Sequence, residues 1–365
     1  MVRVLHIVSV LHRGGVETML MNFYRNLDRN QVQFDFIVHG DTVGVYEPLV
    51  KELGGRVFHV RTKSESFFGN LRDITRIVRE NGYKIVEVHQ DAMSAFALKA
   101  AKKGGAEVRI AHAHATGMPP SLLGRLLYPY ALKRTTKFAN VKLSCSEKSA
   151  EYLFNGDISG TKYVFNGIDT EKFAFSPAAR EALRREQELD GFVVIQVGNF
   201  MYPKNQQFTL QVFRSLLEQR SDARLVFCGS GADIEAVRAE AVAMGLNEKI
   251  LFAGNVDNVE QWMCAADALV MPSFYEGFPV SLIEAQCTGL RCVASDTITR
   301  ETQITDRMAY LPLSADIAQW VQALMEVAAR EREQYARQVR EAGFDVKCVA
   351  RDLQEMYEQL GGQNG

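Results

Sequence analysis

Short apolar runs alternate with longer amphipathic stretches along the whole chain. Residues 2–10, 34–38, 57–60, 85–88, 108–111 and 141–144 have the length and apolar character of buried strands, and stretches such as 70–80 and 92–102 between them carry helical spacing. A second series starts at Phe192, with strands at 193–197, 225–228 and 290–294 and helices over about 206–218 and from Gly231 to about Met244. Strand and helix in alternation imply a parallel sheet with helices on both faces, an α/β arrangement whose ligands collect at the carboxyl ends of the strands. Two series predict two doubly wound, Rossmann-like domains, 1–169 and 190–345, joined by a polar, helical linker over 170–189. The tail 316–360 reads as helical throughout, with Trp320, Leu324, Val327, Val349, Leu353, Met356 and Leu360 at core spacing.

Composition narrows the class. The chain has 365 residues, enough for two ordinary cores, and is 47% hydrophobic and 24% charged with a formal net charge of −2. No overall basic footprint marks a nucleic-acid partner. No apolar run approaches the roughly 18 residues of a membrane-spanning helix, and the N-terminal run leads into a Gly-Gly turn rather than a cleavage site, so a cytoplasmic location is expected. The six cysteines are scattered without a C-x-x-C pair and read as reduced core residues.

Charge matters locally. Residues 108–146 contain no Asp or Glu, while Arg109, Arg125, Lys133, Arg134, Lys137 and Lys142 interleave with leucines and tyrosines. A basic amphipathic helix of this kind suits an anionic membrane surface, so the 121–142 segment is a candidate for peripheral docking on the inner leaflet. An ordinary helix with solvated cations has the same pattern.

The most informative stretch is 271–296, MPSFYEGFPVSLIEAQCTGLRCVASD. A strand ends near Met271, Pro272 and Ser273 break it, and Pro279 suits the first turn of a helix. Val280, Ile283, Glu284 and Cys287 then fall at i, i+3, i+4 and i+7, which assigns Glu284 to the apolar stripe. A polar group buried there without a partner costs on the order of 1–3 kcal/mol, and a lone charge more. The partner is either an Arg or Lys elsewhere in the fold or the hydroxyls of a ligand whose anionic part sits on the helix N-terminus. Sugar nucleotides offer both groups.

Glu276-Gly277-Phe278-Pro279 followed by Glu284 resembles the signature of the family 4 retaining glycosyltransferases of GT-B fold, with Pro272-Ser273 ahead of it. The resemblance covers almost the whole chain and is most specific over 193–296. It implies that Glu276 contacts the donor sugar, that the amides of Gly277, Phe278 and Pro279's neighbourhood contact sugar and diphosphate, and that Glu284 binds the ribose diol. By the same resemblance Lys204 neutralises the leaving diphosphate, and Gly229, Asn255 and Val256 lie beside the nucleotide. Gly14 and Gly15 lie near diphosphate and acceptor, with Glu17 a weaker candidate, and His114 stands beside the transferred sugar with His112 as runner-up. One position departs from the pattern. The family usually has an Arg directly after Gly198, and this chain has Asn199, which can donate a hydrogen bond but brings no charge.

His112 and His114 point to the same face of a strand. A pair of imidazoles without a nearby carboxylate or thiolate is an incomplete metal site, so none is assigned. No D-x-D triplet occurs either, and no cofactor is expected. In GT-B proteins the last helix crosses back to the first domain, which predicts that role for 346–360 and a hinge near Gly343. The function implied is transfer of a sugar, with retention, from a nucleotide-diphosphate sugar to a glycan or polyprenyl-linked acceptor lying in the cleft between the domains. A UDP-linked hexose or N-acetylhexosamine and a role in cell-surface polysaccharide assembly follow at family level. A sugar-nucleotide epimerase or phosphorylase of the same fold, and a non-catalytic nucleotide-sugar-binding subunit, are the alternatives.

Overall fold

The computed structural model describes residues 1–12, 14–114, 122–326 and 332–362, with backbone alone at 92 and 122–127. The chain divides into two compact units, 1–167 with 345–365 and 168–344.

The first unit runs β1 (Val2–Ile7), α1 (Gly15–Asn26), β2 (Val32–His39), α2 (Glu47–Glu52), β3 (Val57–Val60), α3 (Phe67–Glu80), β4 (Ile85–Val88), α4 (Ser94–Gly104), β5 (Val108–Ala113), α5 (Leu122–Phe138), β6 (Val141–Ser144), α6 (Glu147–Leu153) and β7 (Thr161–Tyr163). Its seven strands are parallel in the order β3-β2-β1-β4-β5-β6-β7. The second unit contains α7 (Pro177–Glu186), β8 (Val193–Val197), α8 (Gln206–Gln219), β9 (Arg224–Cys228), α9 (Ile234–Ala243), β10 (Ile250–Gly254), α10 (Val259–Ala265), β11 (Ala268–Met271), α11 (Val280–Cys287), β12 (Arg291–Ser295), β13 (Met308–Leu311), α12 (Ile317–Met325) and α13 (Tyr335–Val339). Its six strands, also parallel, are ordered β10-β9-β8-β11-β12-β13. The expected doubly wound topology is therefore present twice. The order reverses between β1 and β4 in one sheet and between β8 and β11 in the other, and such switch points open a crevice at the carboxyl ends of the strands.

The central strands are mostly apolar and buried because helices cover both faces, with His6, Glu87 and Gln196 as buried polar exceptions. In the first unit Met19, Leu20 and Phe23 of α1 pack with Val349, Leu353, Met356 and Tyr357 of α14 (Val346–Gly362) on one side of the sheet. Ile74 and Ile77 of α3, Leu98 of α4 and Leu132 of α5 form the core on the other side. The C-terminal helix thus belongs to the first unit, as the GT-B pattern implies. A Cβ on Gly167 would come within 2.9 Å of the Val346 backbone, so this glycine lets the helix start hard against the chain leaving the first sheet. In the second unit Leu210, Phe213 and Leu216 of α8, Val237 of α9 and Trp320 and Leu324 of α12 make the main core.

Three local expectations need correction. Residues 170–189 are not a free linker: α7 starts on Ser176, whose hydroxyl accepts from Ala179 N, with Pro177 in the first turn. Arg180 and Arg184 of that helix clamp Asp267, each at 2.6 Å, and cap carbonyls at the end of α10, building the segment into the second unit. The tail is not helical throughout, because Gly343 takes the left-handed conformation (φ 89°) and breaks the helix before α14; Val327 lies outside the described residues. Pro279 occupies the cap position of α11 rather than its first turn. Of the six cysteines, all free, five are buried, in line with a core role.

Candidate active site

In the second unit the site grows from the two loops that leave the switch-point strands. The loop after β8 carries Gly198, Asn199 and Lys204, and the loop after β11 carries Ser273 and Glu276. Asn205, held in the left-handed conformation (φ 51°), donates its side-chain amide to Pro272 O at 3.0 Å, and Phe274 N donates to Pro203 O at 2.8 Å. Tyr202 stacks on Phe274 with ring centroids 4.8 Å apart. These ties bring Lys204 Nζ to 2.7 Å from Glu276 Oε1, which also accepts from Ser273 Oγ at 2.7 Å. Both partners are largely shielded, with side chains 22% and 13% exposed, a setting where an ion pair is less screened than at the surface.

The glycine loops lie side by side at the same sheet edge. Gly198 N donates to Cys228 O, Phe200 N to Ser230 O and Gly229 N to Gly254 O, at 2.8–2.9 Å. Gly229 has φ 146°, and any Cβ there would collide with Gly198 O, so two loop backbones meet where no side chain fits. A Cβ on Gly198 would lie 3.1 Å from the Lys204 stem, which keeps that side chain lying along the loop. Asn255 and Val256 follow β10 beside Gly229, and Asn199 is exposed with its carbonyl held by Gln206 Nε2 at 3.0 Å.

Glu284 lies on α11, half-buried, and its carboxylate makes no hydrogen bond or ion pair among the described residues. Burial pushes its pKa up to about 7; Lys172 pulls it down and Glu260 pushes it up further, these two being paired at 3.2 Å. The alternative of an Arg or Lys bound directly to this carboxylate is thus not what the fold supplies. The group stays an acceptor short of donors, next to a helix start whose first amides lack intrahelical partners. Phe278 contributes no side chain to this edge: its ring is buried on Phe344, centroids 5.9 Å apart, so its amide is what the site can use. Gly277 and Pro279 sit between Glu276 and the first turn of α11.

In the first unit Gly14 caps α1 with extended backbone (φ −115°), and Glu17 folds back over it, with burial raising the Glu17 carboxyl above its ordinary range. Among the described residues nothing lies within 4 Å of a Cβ built on Gly15. Arg13 lies outside the described residues. His112 and His114 share a face of β5 and its end, with centroids 4.1 Å apart. They are not alone. His89 Nδ1 is 2.8 Å from His114 Nε2, His89 Nε2 is 3.0 Å from His6 Nδ1, and Glu87 Oε1 is 2.7 Å from His112 Nδ1. Glu87 Oε2 accepts from Tyr357 of α14 at 2.5 Å. Desolvation lowers the pKa of His6 to about 4 and of His112 to about 3, and drives His89 and His114 well below the ordinary histidine range, so the cluster is neutral. The expectation that no carboxylate stands near the His pair is corrected by Glu87. A charged residue inside the run Ile85–Val88 was the one sign of it in the sequence.

The basic segment around α5 presents fewer free cations than its sequence suggests. Lys142 donates to Asp157 Oδ2 at 2.8 Å, holding that carboxyl down at about 2, and Arg109 is spent on the carbonyls of Phe138, Ala106 and Glu107. Tyr128, Leu132 and Thr135 are buried, while Lys133 and Lys137 are exposed and Arg134 lies over the Tyr130 ring at 5.0 Å. The side chain of Arg125 and its leucine neighbours lie outside the description. No helix among the described residues is long and apolar enough to cross a membrane.

Comparison with known proteins agrees with this architecture. Residues 191–330 match the family described as glycosyl transferases group 1, and residues 13–172 match glycosyltransferase family 4. EpsF of Bacillus subtilis (strain 168) is 32% identical over 368 residues, covering 97% of this chain and 96% of that protein. The UDP-Gal:alpha-D-GlcNAc-diphosphoundecaprenol alpha-1,3-galactosyltransferase of Escherichia coli is 25% identical over 272 residues, 71% of this chain and 70% of its own. Among solved structures, HepE of Anabaena in complex with UDP-glucose superposes with a TM-score of 0.80 at 17% identity, covering 98% of this chain and all of that one. The two sheets, the C-terminal helix on the first unit and these matches together show that the chain belongs to the family 4, group 1 glycosyltransferases of GT-B fold, enzymes that transfer a sugar from a nucleotide sugar.

Proposed function

We propose that the donor is a UDP-linked hexose or N-acetylhexosamine, held at the carboxyl edge of the second sheet. The observation that carries this is Glu284: a half-buried carboxylate with no hydrogen-bond or ion-pair partner among the described residues, on the helix that follows the loop of Glu276. A ribose diol supplies the two donors that the carboxylate lacks. The diphosphate then falls to the amides at the start of α11 and to Lys204, and Glu276 takes the sugar hydroxyls. The solved HepE complex with UDP-glucose and the galactosyltransferase acting from UDP-Gal support uracil as the base.

Lys204 is already neutralised by Glu276, which sets the order of events. A diphosphate arriving beside Lys204 competes with the carboxylate for the ammonium, and Glu276, released in part, turns its second oxygen to the sugar. In the reaction the bond from C1 to the diphosphate oxygen breaks, the acceptor oxygen bonds C1 from the same face, and the acceptor proton passes to the departing diphosphate. Lys204 and the α11 amides stabilise the charge that develops on that diphosphate. Glu276 positions the sugar and is not a covalent nucleophile.

To the first unit we assign the acceptor, a glycan or polyprenyl-linked sugar, with Gly14, Gly15 and His114 as the contributing residues. A neutral His114 suits the shielding of a short-lived oxocarbenium ion, since it adds no like charge. The lipid-linked acceptor of the E. coli relative supports the choice of acceptor class, and Lys133, Arg134 and Lys137 are proposed to dock this unit on an anionic leaflet. The test is product analysis with UDP-sugars and a diphospho-polyprenyl acceptor. An α-linked product with release of UDP fits the proposal; an altered nucleotide sugar without acceptor points to epimerisation, and an adduct on Glu276 contradicts the positioning role.

A further inference from the structure

We infer that His89, His112 and His114 form a binding site for a divalent transition metal of the zinc class. One nitrogen from each lies within 4.8 Å of the others. A zinc–nitrogen bond of about 2.0–2.1 Å sets tetrahedral ligands roughly 3.3 Å apart. His89 Nδ1 and His114 Nε2 are at 2.8 Å and no pair in the set exceeds 4.8 Å, so side-chain shifts of about 1.5 Å or less bring the set to that spacing.

The hydrogen bonds around the cluster select the donor atoms. Glu87 Oε1 accepts from His112 Nδ1, which leaves Nε2 of that ring with its lone pair, buried and without a hydrogen-bond partner among the described residues. His6 Nδ1 engages His89 Nε2, which leaves Nδ1 of His89 facing His114. His114 supplies Nε2. Two of the three ligands therefore have their second nitrogen held from outside, by a carboxylate and by an imidazole, the arrangement that fixes tautomer and ring orientation in histidine metal sites. Glu87 is itself fixed by the Tyr357 hydroxyl. On binding, His114 passes from the Nε2–H to the Nδ1–H tautomer, its Nε2 proton lost to solvent and one taken up at Nδ1, so the ring stays neutral and the metal takes the proton's place. Three neutral imidazoles favour Zn²⁺, Co²⁺ or Ni²⁺ over Mg²⁺ or Ca²⁺, which prefer oxygen ligands.

This inference stands on the geometry of the first unit and does not depend on the donor reading. It bears on the role given to His114: a metal on its Nε2 would add positive charge to a ring whose neutrality suits it to shield the oxocarbenium ion, so metal binding and transfer oppose one another.

The experiment is a cobalt(II) titration of the full-length chain, purified without a histidine tag, followed by visible absorption and equilibrium dialysis. The expected result is one cobalt per chain with the d–d spectrum of a tetrahedral site. His112→Gln should abolish it, Glu87→Gln should weaken affinity about 10–100-fold, and His59→Gln, a histidine on β3, should leave it unchanged. His114→Gln gives a second, half-buried ligand variant should His112→Gln not fold. No stoichiometric cobalt, or equal binding in the ligand variants and His59→Gln, would overturn the inference.

Discussion

Lys204 Nζ and Glu276 Oε1 lie 2.7 Å apart, an ion pair that joins the loops leaving the two switch-point strands of the second sheet. The pair makes the donor site self-neutralised before ligand arrives. Removing Glu276 therefore frees the cation: Glu276→Gln should bind free UDP as tightly as the native protein or more tightly, while transfer falls by at least tenfold. Lys204→Met should weaken UDP by about 10–100-fold, the loss of a charge-assisted contact worth roughly 1.5–3 kcal/mol. Calorimetry of both variants with UDP decides it; equal losses in the two would show that Glu276 touches the nucleotide.

Glu284 makes donor binding pH-dependent. Its folded pKa, raised to about 7, lies above its ordinary value of 4.5, so the folded chain holds a proton there that the unfolded chain has lost. The stability tied to this group is full below about 4.5 and is lost as pH rises through 7. Hydroxyl donors favour the ionised form, which gives ligand binding the opposite sign. Affinity for a UDP-sugar, whose diphosphate diester does not titrate in this range, should fall as pH drops below 7, approaching tenfold per unit. Lys172 and Glu260 are the charges that face the group, and Glu284→Gln should flatten the profile while weakening binding. A profile unchanged in Glu284→Gln assigns the titration elsewhere.

Backbone contact at the glycine edge should be costly to disturb. Gly229→Ala places a methyl against Gly198 O at φ 146°, with backbone on the other side that cannot rotate away. A loss of roughly 2–4 kcal/mol is expected, together with loss of UDP binding. Gly82→Ala, left-handed at φ 65° but with nothing within 4 Å, should cost only about 1 kcal/mol. Urea unfolding of both variants measures the difference.

Membrane attachment is the prediction on α5. Co-sedimentation with phosphatidylglycerol vesicles should occur at low salt, fade above about 0.3 M as screening shortens the Debye length, and disappear when Lys133, Arg134 and Lys137 are replaced by Glu. Lys142→Glu should have little effect on vesicle binding, because that ammonium is already committed to Asp157. Binding that ignores salt or the triple reversal contradicts the assignment.

The strands with continuous apolar runs were legible from the chain, and β3, β4, β6 and β8 have the same ends in sequence and structure. The edge strand β7 was not, because a strand paired on one side needs no full apolar run: Thr161–Tyr163 is mostly polar and exposed. The helical character of 170–189 is legible from the chain, but not what anchors α7, since Asp267 is 87 positions from Arg180. Glu284 was visible through helical period because the stripe is local. The Glu87–Tyr357 bond spans 270 positions and leaves no periodic trace, so the histidine cluster had to be seen folded. Lys204 and Glu276 were each named from the motif; that they bind one another was readable only from the loops that bring them together.

The account rests on donor capture at the second sheet, and titration calorimetry of UDP-glucose, UDP-galactose and their N-acetyl forms into the native chain and Glu284→Ala at pH 8 tests it most directly. One site per chain for at least one of these sugars, weakened about 10–100-fold in the variant, is the predicted result. No binding of any of them, or binding equally strong in Glu284→Ala, would contradict it.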